Sequence, residues 1–291
     1  MIRAIRKKFK KVIAETNWVR IVVFIILCLY AFTMIYTLLW AFFNSLKTPV
    51  EYEVYNRNGL PKQWLFKNYL DAFKLLEASN TNFFSMFFNS VWFALGGSFL
   101  STMTSAIAAY IFAKYDFHGK KVMYTVMLIV LMLPLYGTLP ATFKLYNQIG
   151  IYDSPAILIV SVSMTGQLFF ILSAYFRSLS WEYAEAAQMD GAGHYYIMFK
   201  IMLPMAVPAI SCVFLVALIG GWNDYMTPIQ FLPSWPTVAS GLHIYGIVSV
   251  FNINYPVYFA GVLLSCVPTF LLFFLFKDKI MTSMTMGGLK G

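Results

Sequence analysis

Long apolar runs without a charged residue alternate with polar segments along the chain. Each run is long enough to cross a hydrocarbon core of about 30 Å as a helix. The pattern therefore predicts an all-α membrane protein with six transmembrane helices. The predicted helices are residues 21–43, 83–113, 122–143, 154–176, 201–228 and 255–276, and the charge-free part of the fifth ends at residue 223.

The composition supports a membrane location. Hydrophobic residues make up 60% of the chain, charged residues make up 11%, and the mean hydropathy is +0.69. Too few polar residues remain to cover the surface of a water-soluble domain. The first apolar run follows a basic arm, as a signal sequence would. It is longer than a signal sequence and lacks a small-residue cleavage site, so we interpret it as a retained helix.

Basic residues are unevenly distributed between the predicted helices. Residues 1–20 carry seven Lys and Arg residues against a single acid, Glu15, and most other basic residues fall in segments on the same side of the six-helix pattern. The positive-inside rule then places both termini, 1–20 and 277–291, in the cytoplasm. The segments 44–82 and 229–254 become outer loops. The basic arm is expected to contact anionic lipid headgroups, and nucleic-acid binding is not expected.

One polar segment, residues 180–200, lies between two predicted membrane helices and carries Glu182, Glu185 and Asp190. A carboxylate is costly in hydrocarbon, so this segment must lie on the cytoplasmic face or against a partner protein. Its alanines favour a helix, and its glycines favour a turn followed by a second helix. The sequence predicts a cytoplasmic helix-turn-helix element.

The ends of the two short helices are marked by particular residues. Ser180 is suited to cap the first helix, and Pro204 marks the start of the next apolar run. Glycine tolerates the left-handed backbone that often ends a helix. We expect Gly191 to adopt this conformation. The alternative is that Gly193 adopts it or substitutes for Gly191.

The same segment resembles the EAA signature of permease subunits in binding-protein-dependent ABC importers. The matching residues are Glu185-Ala186-Ala187, then Gly191 after three residues, and Ile201, Leu203 and Pro204 after nine more. Asp190-Gly191-Ala192, Pro208, Trp222-Asn223-Asp224 and the terminal Gly287-Gly288-Leu289-Lys290-Gly291 resemble the carbohydrate branch, in particular its MalG-like members. One departure is Ser180, which stands where many members have proline.

The resemblance implies roles for several groups of residues. The residues expected to couple to an ATPase subunit are Glu185, Ala186, Ala187, Asp190, Gly191, Ile201, Leu203 and Pro204. The tail residues expected to reach the ATPase subunits are Gly287, Gly288, Lys290 and Gly291. The residues expected to contact a binding protein are Ser234, Trp235, Pro236 and Ser240; the alternative for their loop is a hairpin packed on the helices.

The resemblance also implies partners and the place of the cofactor. The expected partners are a second homologous permease, two ABC ATPase subunits and an extracytoplasmic solute-binding protein. ATP and magnesium would bind in the ATPase subunits, and no cofactor is expected in this chain. The chain has no phosphate-binding loop and no zinc motif, and we expect no catalytic residue and no metal site.

The interior of the predicted helices limits the class of transporter. Charged residues occur there only near helix ends, which argues against a proton- or sodium-coupled carrier. Ser163 and Gln167 are candidates for a translocation path. The alternative is that such side chains bond to neighbouring helices. The cysteines Cys28, Cys212 and Cys266 are interpreted as small hydrophobic residues.

These observations favour one function over two others. The expected function is the permease subunit of an ABC importer in the bacterial cytoplasmic membrane, moving a sugar or oligosaccharide by alternating access driven by partner ATPases. One alternative is an ABC importer permease for peptides or amino acids. The other is a secondary transporter or channel that needs no ATPase.

Overall fold

The computed structural model describes residues 18–133, 137–162, 166–248 and 253–287, without the side chains of 248 and 278–287. Several predicted features lie outside the described residues: most of the basic arm, Ser163, Gly288, Lys290 and Gly291. The chain forms two compact units. The first unit contains the described residues up to Leu70 and the segment Asn254–Leu263, and the second contains Asp71–Ile253 and the residues from Leu264 onward.

In the first unit, a long apolar helix leads into a loop that folds around a buried lysine. Helix α1 is Trp18–Ser45. The Lys47 side chain is fully buried, and its Nζ donates to Asn44 Oδ1 at 2.8 Å and to the Asn56 carbonyl at 2.6 Å. Burial lowers the pKa of Lys47. The Asn68 side chain also stabilises the loop, because its amide donates to the carbonyls of Ser45 and Lys47, both at 2.8 Å. The loop after α1 therefore has a folded structure of its own.

The second unit is built around α3, Phe83–Lys114, a helix of 32 residues. The Asn82 side chain caps it by accepting the Ser85 N–H at 2.9 Å. Helix α2 (Lys67–Leu75) leads into this unit, and a short antiparallel pair, β1 (Glu77–Ala78) and β2 (Thr81–Asn82), precedes α3. After α3 come α4 (Lys120–Met132), α5 (Leu139–Gln148), a 3-10 helix (Pro155–Ser161), α6 (Gln167–Ser178), α7 (Glu182–Met189), α8 (His194–Tyr196), a π-helical segment (Ile197–Met202), α9 (Leu203–Met205), α10 (Val207–Asn223), α11 (Met226–Phe231), α12 (Val238–Val248) and α13 (Tyr255–Gly287), which begins in the first unit.

Small side chains on α3 let α6 and α10 pack closely against it. Ala106 and Ala109 of α3 are fully buried in one core with Phe169 and Phe176 of α6, and Ile210 of α10 joins the same core. Close approach of small residues is a common way for membrane helices to associate, because it maximises van der Waals contact. Helix α3 is therefore the packing centre of the second unit.

Three described helices are long and apolar enough to span a membrane: Trp18–Ser45, Phe83–Lys114 and Tyr255–Lys277. A fourth candidate is the pair His194–Met205 and Val207–Asn223, which bends by 72° at its break. The second predicted span, 83–113, corresponds closely to α3. The bend in the predicted fifth span follows from Pro208, whose missing N–H suits the first turn of α10.

The predicted spans 122–143 and 154–176 are not continuous helices in this structure. Helix α4 ends at Met132 and α5 starts at Leu139, and between them Gly137 has a φ of +75°. In the other segment a 3-10 helix is separated from α6 by Gly166, whose φ is +129°. These are backbone angles that a helix excludes, and apolar patterning does not reveal them.

Gly220 and Gly221 provide a matched test of α3 packing. A Cβ at Gly221 would lie 3.4 Å from the Ala94 Cα of α3, whereas a Cβ at Gly220 would meet nothing within 4 Å. We expect Gly221→Leu to cost about 1–3 kcal/mol through overpacking, because backbone cannot move aside easily. Thermal unfolding of the detergent-purified chain should show a lower Tm for Gly221→Leu and little change for Gly220→Leu. Equal Tm values for the two variants would contradict the packing described here.

Candidate functional site

The polar segment forms a short helical elbow, which we define as residues 180–205. Helix α7 begins after Ser180, whose hydroxyl accepts the Glu182 N–H at 3.2 Å. The helix ends at Met189 with Asp190 as its C-cap, and the chain turns before α8. The predicted helix, turn and second helix are therefore all present.

The turn of the elbow depends on Gly191. Its φ is +83°, and it closes α7 with two backbone bonds: the Gly191 N–H donates to the Gln188 carbonyl and the Ala192 N–H donates to the Ala187 carbonyl, both at 2.9 Å. This is the Schellman arrangement, in which a left-handed residue satisfies the last carbonyls of a helix. Gly193 has a φ of −74°, which any residue can adopt. The structure thus assigns the left-handed position to Gly191 and not to Gly193.

The second half of the elbow runs continuously toward α10. Helix α8 passes into the π-helical segment, in which the Leu203 N–H donates to the Met198 carbonyl five residues earlier. Pro204 follows within α9, where it has no N–H to donate. The chain then bends at Ala206 into α10. The elbow is therefore joined directly to a membrane-spanning candidate without a flexible linker.

One face of the elbow is buried in the core of the second unit. Ala184, Ile197 and Met202 are each fully buried, and they belong to the core that contains Tyr110 of α3 and Phe176 of α6. Apolar contacts on this face hold the elbow rigidly against α3 and α6.

Polar and aromatic contacts anchor the same face at the end of α3. Lys114 Nζ donates to the Leu179 carbonyl at 2.5 Å and lies 5.9 Å from the Trp181 ring centre. The Tyr115 hydroxyl lies 3.2 Å from His194 Nδ1, and the Tyr115 ring meets the Trp181 ring edge-on at 5.8 Å. Sequence reasoning missed this anchor. Its residues are far apart in sequence, so no local pattern reveals them.

The opposite face of the elbow is exposed and mixes acidic with apolar side chains. Met189 is 89% exposed and Tyr195 is 81% exposed. Glu185 and Asp190 are also exposed, and within the described residues neither makes an ion pair. Large apolar side chains beside unpaired carboxylates are typical of a surface that another protein covers.

The eight predicted coupling residues thus divide between the two faces. Ala187, Ile201 and Leu203 are partly buried and pack against the core. The other five are exposed: Glu185, Ala186, Asp190, Gly191 and Pro204.

At the other end of α3, the loop after α11 is packed onto the unit. The Ser234 N–H and hydroxyl donate to the two carboxylate oxygens of Asp153 at 2.9 and 2.6 Å. Pro236 is buried, and its carbonyl accepts from Asn89 of α3 at 3.0 Å. Ser240 is also buried and bonds to Thr237. Pro236 and Ser240 are therefore packed onto the unit, and contact of this loop with a binding protein stays a prediction.

The remaining predicted residues occupy different settings. Ser234 and Trp235 are exposed, and the Trp235 ring meets Trp92 edge-on at 6.2 Å. Gln167 is the exposed first residue of α6. Gly287 is the last residue of α13.

Comparison with known proteins identifies relatives that align with most of the chain. Residues 101–277 match the model of a family described as binding-protein-dependent transport system inner membrane component. The diacetylchitobiose uptake system permease protein of Streptomyces coelicolor is 30% identical over 90% of this chain and 86% of its own length. An arabinooligosaccharides transport system permease protein of Halalkalibacterium halodurans is 28% identical over 76% of this chain and 80% of its own. A crystal structure of a bacterial ABC transporter involved in alginate import contains a chain with the same fold, with a TM-score of 0.74 and 21% identity, covering 89% of this chain and 95% of that one.

Replacing the turn glycine should loosen the elbow locally. We expect Gly191→Val to cost about 1–2 kcal/mol, because a side chain with a Cβ is strained in the left-handed region. Hydrogen exchange of the Gly191 to Lys200 region in the purified protein should then quicken by about 5- to 30-fold.

Gly193→Val is the matched control, since a Cβ at either glycine meets nothing within 4 Å and only the backbone angles differ. Gly191→Asn should exchange almost as slowly as the original protein, because asparagine tolerates the left-handed region. Faster exchange in Gly193→Val than in Gly191→Val would contradict the assignment.

Proposed function

Because the chain belongs to the family of binding-protein-dependent transport system inner membrane components, we propose that it is the permease subunit of an ABC importer for an oligosaccharide. Members of this family work in complexes with other transporter subunits in the cytoplasmic membrane. The observation that carries the proposal is the elbow, whose buried face packs in the helix core and whose exposed face carries acids beside apolar side chains. A segment with these two faces is suited to transmit a conformational change of a bound partner protein to the membrane helices.

The substrate class is supported by the relatives. The two relatives described above are named for diacetylchitobiose and for arabinooligosaccharides, and each aligns with more than three quarters of this chain. We propose the same class, a short oligosaccharide, for this chain.

The proposed complex contains this chain, a second homologous permease, two ABC ATPase subunits and an extracytoplasmic binding protein. ATP and magnesium would bind in the ATPase subunits. Their closure would press on the elbow, and the helices would switch between inward- and outward-facing arrangements because the partners contact the two arrangements differently.

The proposed connection between the two ends of the subunit is α3. Near its start, Asn89 bonds to Pro236, and the Ser90 hydroxyl accepts the Val238 N–H at 2.8 Å. At its end, Lys114 bonds to Leu179 of the segment that leads into the elbow. A helix of 32 residues is about 50 Å long. A shift of the elbow would therefore reach the opposite loop through one stiff element.

We also propose a six-span topology with cytoplasmic termini. In this arrangement the interrupted segments 120–148 and 155–178 are the third and fourth spans, and α10, which ends at Asn223, is the fifth. The elbow lies in the cytoplasm, and Ser234 and Trp235 face outward, where they are available to the binding protein. The tail after Gly287 is proposed to approach the ATPase subunits.

Uptake by a strain that lacks the chromosomal gene tests the proposed function. The original gene should restore uptake of radiolabelled diacetylchitobiose or arabinotriose, and this uptake should stop on ATP depletion. Glu185→Ala should lower uptake at least about tenfold at an unchanged membrane level, because it leaves a charge of the partner unpaired in a buried interface.

Glu53→Ala is the control for that substitution, since Glu53 is also an exposed acid but lies in the proposed outer loop. Uptake of amino acids or peptides instead of sugars would contradict the substrate class. Sugar uptake that survives ATP depletion and stops with an uncoupler would contradict the ABC mechanism.

Cysteine labelling tests the proposed topology. In a variant without Cys28, Cys212 and Cys266, Ser234→Cys should react with a membrane-impermeant thiol reagent added to whole cells. Gln188→Cys should react only after the membrane is opened. Both positions are exposed in the structure, so accessibility within the subunit does not separate them. The reverse labelling pattern would contradict the topology.

A further inference from the structure

Two adjoining cavities lie in the second unit, beside the end of α10 and the start of α11. Their volumes are about 240 and 200 Å³, and Phe93, Ser161 and Asp224 line both. We refer to them together as the Asp224 cavity. None of the sequence patterns above assigned it a role, although Asp224 belongs to the Trp222-Asn223-Asp224 motif.

The Asp224 carboxylate has one oxygen engaged and one available. Its Oδ1 accepts the Thr227 N–H at 3.0 Å and thereby caps the first turn of α11. Within the described residues, its Oδ2 has no bonding partner. The carboxylate is half-buried, and it remains an acceptor of strong hydrogen bonds.

The rest of the wall combines hydroxyl groups, aromatic rings and small residues. Ser161 presents a hydroxyl that makes no hydrogen bond within the described part of the chain, and Ser98 and Ser101 line the deeper part. The rings of Phe93, Tyr146 and Phe231 line the other side. The remaining lining residues are small and leave volume in the cavity; they include Ala94, Gly97, Ala217 and Gly221.

We propose that the Asp224 cavity binds one sugar ring of the transported oligosaccharide, with Asp224 Oδ2 and the Ser161 hydroxyl bonding to ring hydroxyls. This inference rests on the proposed function and adds a substrate subsite in this subunit. A sugar ring has apolar C–H faces that pack on aromatic rings and an edge of hydroxyls that a carboxylate accepts. A mostly apolar wall with a few placed polar groups is the usual construction of a small-molecule site.

A metal ion fits the same cavity less well. Oxygen-preferring cations need several carboxylate or carbonyl ligands around them, and Asp224 is the one carboxylate that lines the cavity. No cluster of three or more His, Cys, Asp or Glu side chains with metal-binding geometry occurs among the described residues. The chemistry of the wall therefore favours an uncharged polyol.

Asp224→Asn tests the subsite, because asparagine keeps an oxygen for the Thr227 N–H and almost the same volume while it removes the charge. The whole transport complex is expressed in cells, and initial rates of diacetylchitobiose and arabinotriose uptake are measured over a range of concentrations. We expect KM to rise about tenfold for the sugar that the original complex transports, with little change in the maximal rate. Ser161→Ala should raise KM by a smaller factor.

Two controls separate a contact with substrate from a general defect. Ser178→Ala removes an exposed hydroxyl of α6 outside the cavity and should leave KM unchanged. ATP hydrolysis by the purified complex, stimulated by the binding protein, should be the same for Asp224→Asn as for the original at saturating sugar.

The outcomes distinguish the subsite from the proposed function. An unchanged KM in both Asp224→Asn and Ser161→Ala, with sugar uptake intact, would overturn the subsite alone. An equal loss of uptake, complex level and ATP hydrolysis would assign Asp224 a purely structural role and also overturn the subsite. If the original complex takes up neither sugar, the proposed function fails and the subsite fails with it.

Discussion

The structure of the second unit depends on close packing around α3. Fully buried alanines at Ala106 and Ala109 leave room for the large rings of Phe169 and Phe176, so α3 and α6 share one core. The same helix accepts α10 where Gly221 meets Ala94. Its two ends carry hydrogen bonds to the loop after α11 and to the segment leading into the elbow. Close-packed protein interiors have low compressibility and transmit strain. A displacement at one end of α3 should therefore reach its other end.

Within a few helical turns, the elbow places some apolar residues in the protein core and leaves others exposed on the surface. Its apolar residues Ala184, Ile197 and Met202 are fully buried, whereas Met189 and Tyr195 remain largely exposed. The turn at Gly191 allows both, since it redirects the chain while the Ala187 and Gln188 carbonyls near the end of α7 keep backbone hydrogen bonds. The anchoring bonds from Lys114 and Tyr115 then hold the turned segment in place. Within the part of the chain that the structure describes, the exposed acids Glu185 and Asp190 make no ion pair.

Much of this arrangement follows from the sequence, for physical reasons that differ between elements. The segment around Glu185 is predictable because carboxylates cannot enter hydrocarbon, and the turn at Gly191 is predictable because few residues tolerate its backbone. The breaks at Gly137 and Gly166 are less predictable, since an apolar run keeps the same composition whether or not its helix is interrupted. The burial of Lys47 is also not predictable from the sequence, for a different reason. Its burial depends on carbonyl groups up to ten residues away, which no charge count reveals. The Asp224 cavity likewise appears only once distant segments are brought together.

The central claim is that the exposed face of the elbow is the surface that an ATPase subunit covers. A photoreactive amino acid placed at Met189 of α7, which is 89% exposed, tests this claim directly in membranes that contain the complex. Irradiation should produce a covalent adduct between this chain and an ATPase subunit, and Gly191→Val in the same chain should reduce its yield. An adduct with lipid alone, or no adduct with an ATPase subunit while the complex remains assembled, would contradict the claim.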